Sequence, residues 1–94
     1  MKMIIAIVQD KFIDELMDRF LDEEIYVTKI STTGGFLKGG NTTLLLGCED
    51  NKLEDIDKIF KEITKTEKFK NDKGEFHISG ATVFVLDVEK SLRV

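Results

Sequence analysis

The apolar positions of this chain change their spacing from one segment to the next, and each change marks an element. Met3-Ile4-Ile5-Ala6-Ile7-Val8 is an unbroken apolar run rich in β-branched residues, which reads as a central strand buried on both faces. From Asp10 the period becomes helical. Phe12, Ile13, Leu16, Met17, Phe20 and Leu21 recur one turn apart, Asp14, Glu15, Asp18 and Asp22 occupy the other faces, and Asp10 is placed to cap the helix. Ile25 to Ile30 reads as a second strand and Thr42 to Cys48 as a third. Asp50 or Asn51 is then expected to cap a second helix, with Leu53, Ile56, Ile59, Phe60 and Ile63 along one side. Between Lys68 and Ile78 the run Asn71-Asp72-Lys73-Gly74 predicts a small hairpin, with Gly74 taking a positive φ. Ala81 to Val88 is the last main strand.

Strand, helix, strand, strand, helix, strand is the order of an α+β, ferredoxin-like βαββαβ sandwich, with four antiparallel strands and both helices on one face. The other face then has no helix cover. Strands apolar on both sides require that face to pack on another subunit, so the pattern predicts an oligomer with its helices outside.

Composition narrows the class. At 94 residues the chain is read as one domain, 1–94, and its 41% hydrophobic and 34% charged residues are those of a globular fold. Fourteen basic against eighteen acidic residues leave a net charge of −4, without the positive field that holds a DNA backbone. The longest apolar run is too short to cross a bilayer, and charge at Gln9-Asp10-Lys11 follows it where a secretory signal needs small residues. The expectation is a cytoplasmic protein with no membrane and no DNA partner. The single cysteine, Cys48, excludes an intrachain disulfide.

Candidate chemistry concentrates in one stretch. Residues 32–43, Thr-Thr-Gly-Gly-Phe-Leu-Lys-Gly-Gly-Asn-Thr-Thr, place glycines, threonines and Asn41 around Phe36 and Leu37. Paired glycines let backbone N–H groups converge on a phosphate, and Phe36 offers a face for stacking a purine. The same stretch equally suits a long Gly-rich hairpin whose Phe36 packs on a neighbour. It matches neither a Walker loop nor a Rossmann fingerprint, because it leads into a strand. His77 has no nucleophile placed beside it, Cys48 reads as a small core hydrophobe, and the acidic groups around Asp50 and at Asp22-Glu23-Glu24 read as helix-end features. Nothing assembles an active site, so no enzyme is expected.

The segments Met1 to Asp10, Val27-Thr28-Lys29, Thr32-Thr33-Gly34-Gly35-Phe36-Leu37-Lys38, Gly40-Asn41-Thr42-Thr43 and Gly80 to Leu86 together resemble the PII-like cyclic-di-AMP receptor family. The resemblance implies a ferredoxin-like subunit in a homotrimer that binds its nucleotide between adjacent subunits and signals, through loop rearrangement, to a downstream protein unknown from the sequence. It implies no cofactor and a ligand set of Thr28, Gly35, Phe36, Leu37, Asn41 and Gly47, with Phe36 and Leu37 against adenine and Thr28 and Asn41 as hydrogen-bonding groups. The chain departs from the family pattern in Tyr26 where an arginine is typical, in Glu24 where a neutral residue is, and in a shortened 65–79 stretch with a tail, Ser91-Leu92-Arg93-Val94, that lacks the usual aromatic end. The changes at Tyr26 and Glu24 predict reduced affinity for a dianion. The alternative reading is a PII-like module that has lost cyclic di-AMP and recognises another metabolite or a protein.

Overall fold

The computed structural model describes residues 1–30, 40–65 and 67–94. Its strands and helices run β1 (Lys2–Gln9), α1 (Ile13–Asp22), β2 (Val27–Ile30), β3 (Asn41–Cys48), α2 (Leu53–Ile63), β4 (Glu67–Asn71), β5 (Gly74–Ile78) and β6 (Ala81–Asp87). The main sheet has the order β2-β3-β1-β6, antiparallel at every pairing, while β4 and β5 form a separate two-stranded hairpin. This is the ferredoxin-like arrangement that the order of periods predicts. Gly74 takes φ +125° at the hairpin turn, as expected.

Residue parity divides the sheet. Ile4, Ala6 and Val8 of β1 and Leu44, Leu46 and Cys48 of β3 are buried against the helices. From the helices come Ile13, Leu16 and Phe20 of α1 and Ile56, Ile59, Phe60 and Ile63 of α2. Phe20 and Phe60 meet edge to face at 5.4 Å, and Arg19 bridges the helices through Glu62 at 3.0 Å. On the opposite parity lie Met3, Ile5 and Ile7, flanked in register by Leu45 and Thr43 of β3 and by Leu86, Phe84 and Thr82 of β6. No helix among the described residues covers that side. Phe84 is 52% exposed there and Leu86 45%.

Both expected helix caps are corrected. A 3-10 turn, Asp10–Phe12 or Asp50–Lys52, precedes each helix, so the N-cap residues are Phe12 and Lys52 and neither caps through its side chain. Asp10 instead accepts a hydrogen bond from Thr42 Oγ1 at 2.5 Å, and Asp50 pairs with the N-terminal ammonium at 3.0 Å. The second strand also begins two residues later than its apolar pattern predicts. Helix α1 ends in a Schellman motif in which Ile25 N–H donates to Phe20 C=O (2.8 Å) and Glu24 N–H to Leu21 C=O (3.0 Å). Ile25 is thereby spent folding back onto the core, and Glu24 is held at φ +58°.

The neck of the hairpin is tight. A Cβ on Gly80 would stand 2.7 Å from both the backbone nitrogen and the backbone oxygen of Lys65. Gln9 fixes the same point, its N–H donating to Gly80 C=O at 3.0 Å and its side-chain amide to Ser79 C=O at 2.9 Å.

Two stability outcomes follow from these backbone features. The left-handed region costs an L-residue about 1–2 kcal/mol, of which glycine's freedom in the unfolded chain returns about 0.5–1. Glu24→Gly is expected to raise stability by up to about 1 kcal/mol, seen as a higher urea midpoint at unchanged slope. A lowered midpoint would show that Glu24 is not strained. Gly80→Ala is expected to cost about 1–3 kcal/mol through overpacking against backbone, and an unchanged midpoint would contradict the close approach at Lys65.

Candidate functional site

The uncovered face of the sheet carries the candidate ligand residues that fall on strands. Thr28 stands opposite Leu45, which stands opposite Ile5, and Gly47 stands opposite Met3. Asn41 has the same parity as Leu45 and Gly47 and pairs with Gln9. Thr28, Asn41 and Gly47 therefore share one face. Gly35, Phe36 and Leu37 lie outside the described residues.

Sharing a face does not bring all three together. Thr28 and Gly47 line one hollow of about 420 Å³, with Met3, Tyr26, Leu45 and Arg93 among its other walls. Asn41 lies six residues along β3 from Gly47, and at about 3.3 Å per residue that is roughly 20 Å away. It sits instead where the 31–39 segment re-enters the sheet. There Asp10 N–H donates to Gly40 C=O at 2.8 Å, next to the Thr42–Asp10 side-chain bond, so this entry is pinned to the end of β1.

The chemistry of the hollow suits an anion with an apolar part. Met3 and Leu45 give it apolar lining, Thr28 and Tyr26 bring hydroxyl-bearing side chains, and Arg93 brings a cationic one. No carboxylate is among its lining residues. Glu24 lines a neighbouring hollow instead, with Leu21, Ile25 and Tyr26, and of these Tyr26 also lines the Thr28 hollow. At Gly47 a Cβ would meet nothing within 4 Å, and its φ is not positive. Neither local packing nor backbone conformation requires glycine there. What glycine does is leave room over the strand.

A second groove, of about 400 Å³, lies on the helix side between α2 and β6, floored by Ile4, Ile56, Phe60, Val83 and Val85. Asp50, Glu54 and Asp57 rim it, and those carboxylates repel a phosphate. Cys48 faces the core, where burial pushes its thiol up from its ordinary value and away from the reactive thiolate. His77 lies in β5, in register with Lys68. Among the described residues no three His, Cys, Asp or Glu side chains gather to hold a metal ion, and no helix is long and apolar enough to cross a membrane.

A residue of the hollow that the sequence pattern does not single out is Arg93. In the sequence it is simply a cation near the last residue, and only the strand order shows which hollow the tail reaches.

Known proteins give the same picture of the scaffold. A crystal structure of a functionally unknown protein from Pediococcus pentosaceus is 41% identical, with a TM-score of 0.75 over 99% of this chain and 96% of that one. The profile of the cyclic-di-AMP receptor family matches residues 1–72, from β1 through the turn between β4 and β5. That span holds every strand and loop on which the candidate ligand residues lie, and with it matched the chain belongs to the cyclic-di-AMP receptor family.

Proposed function

We propose that the chain is a single PII-like domain, 1–94, that assembles as a homotrimer and binds cyclic di-AMP between adjacent subunits. It is a signalling receptor and not an enzyme. The observation that carries this reading is the hollow at Thr28 and Gly47, open above an apolar sheet face and free of carboxylates in an acidic protein.

The rest of the geometry supports sharing of the site between copies. Thr28 and Gly47 are at one end of the open face, while Asn41 and the entry of the 31–39 segment are at the other, roughly 20 Å away along the strand. A compact dinucleotide held by both ends draws them from two chains: the hollow of one subunit and the Gly35-Phe36-Leu37 and Asn41 end of its neighbour. Packing the Ile5, Ile7, Leu45, Phe84 and Leu86 faces of three copies toward one another removes the exposed apolar surface. A change in the 31–39 segment on binding then becomes the signal read by a downstream protein.

Light scattering is expected to give three times the 10.7 kDa chain mass, and a monomer at working concentration would overturn the assembly. Titration calorimetry is expected to show binding of cyclic di-AMP in preference to ATP, ADP and AMP. Heats no larger than those of dilution would overturn the ligand and favour the module that has lost it. Gly47→Val supplies the local control. The space around Gly47 predicts an unchanged melting temperature, while branched methyls over Thr28 weaken the nucleotide by about tenfold or more, about 1.4 kcal/mol. Equal affinity in this variant would move the site away from the hollow.

A further inference from the structure

The tail beyond β6 does not stay at the edge where β6 lies. β6 is an edge strand, separated from β3 by β1, and β3 in turn separates β1 from β2. At its end Val88 N–H donates to Met1 C=O at 3.2 Å, which ties the start of the tail to the foot of β1. Ser91 and Arg93 then appear in the wall of the hollow whose other side is Thr28 on β2 and Gly47 on β3. Crossing from β6 to β3 spans two strand spacings, about 10 Å, well within the reach of five extended residues. The tail is a strap that carries a cation from one edge of the sheet toward the other.

We propose that Arg93 is the anion-binding residue of this hollow, its guanidinium taking the oxygens of a phosphodiester whose sugar and base extend over Thr28 and Gly47. This rests on the nucleotide reading above and adds to it the group that meets the ligand's charge. Three observations converge on it. Arg93 makes no ion pair with another described residue, whereas Arg19, the chain's other arginine, is held by Glu23 and Glu62. No carboxylate lines the hollow to compete for the guanidinium. Thr28 and Tyr26, which line the same hollow, carry hydroxyls able to donate to the remaining phosphate or sugar oxygens, and Gly47 leaves the strand open to close approach. An arginine fork matches two phosphate oxygens at once, and a hydrogen bond of this kind is about twice as strong as one between neutral partners.

The test is calorimetric titration of the full chain with cyclic di-AMP at two salt concentrations, comparing the unmodified protein, Arg93→Gln and Arg93→Lys. Arg93→Gln is expected to weaken binding about ten- to a hundredfold, to flatten its salt dependence and to leave the melting temperature unchanged. Arg93→Lys, which keeps the charge and loses the fork, is expected to fall between. Three results overturn the proposal. Equal affinity in Arg93→Gln shows that the guanidinium does not meet the ligand, while the receptor reading stands. Weakened binding with unaltered salt dependence assigns Arg93 to packing of the strap. Absence of binding by the unmodified protein overturns the nucleotide reading and this proposal with it.

Discussion

Antiparallel pairing of β1 on both its edges is the constraint on which the rest of the subunit depends. β1 is apolar at every position from Met3 to Val8, so its own hydrophobicity does not decide which set of side chains faces the helices. Its neighbours decide it. In β3, Leu44, Leu46 and Cys48 alternate with Thr43, Leu45 and Gly47, and the set without polar or missing side chains is the one that packs on Phe20, Ile56 and Phe60. A slip of one residue would send Thr43 and Gly47 into the core and every leucine but Leu45 out of it. The register that makes the core is therefore the same register that puts Thr28 and Gly47 on the open side.

The elements were legible in the sequence because each obeys a period that burial enforces. The ends of the elements were less so. Asp10 and Asp50 stand at the spacing of helix caps, yet a 3-10 turn intervenes before each helix and leaves both carboxylates to other partners. Ile25 and Tyr26 read as strand because they are apolar and aromatic. The Schellman motif claims the first and leaves the second 86% exposed, and the usual glycine that would announce such a motif is replaced by Glu24.

The site divides along a similar line. Thr28 and Gly47 are expected from the family resemblance, and the parity that the core imposes on their strands puts both on the open face. The separation of Asn41 from them depends on strand length and so required coordinates. Arg93 had no local signal at all: its place depends on the order β2-β3-β1-β6, which is a property of the whole sheet. Along the sequence both Glu24 and the tail depart from the family pattern, Glu24 by its charge and Ser91-Leu92-Arg93-Val94 by lacking an aromatic end. In space, Glu24 borders one hollow and the tail borders another, with Tyr26 in the walls of both.

The narrow neck where Gly80 passes the Lys65 backbone isolates the β4–β5 excursion from the architecture beneath it. The points at which the chain leaves α2 and rejoins the sheet are fixed by backbone contact and by the amide of Gln9, so the main sheet is blind to how much chain lies between them. Loop-closure entropy grows only logarithmically with length, and closing a loop already clasped at its base changes it little. The excursion is thus a module whose size evolution can trim or extend without renegotiating the fold, and a reach toward new partners can be altered there while the sheet that holds Thr28 and Gly47 stays as it is.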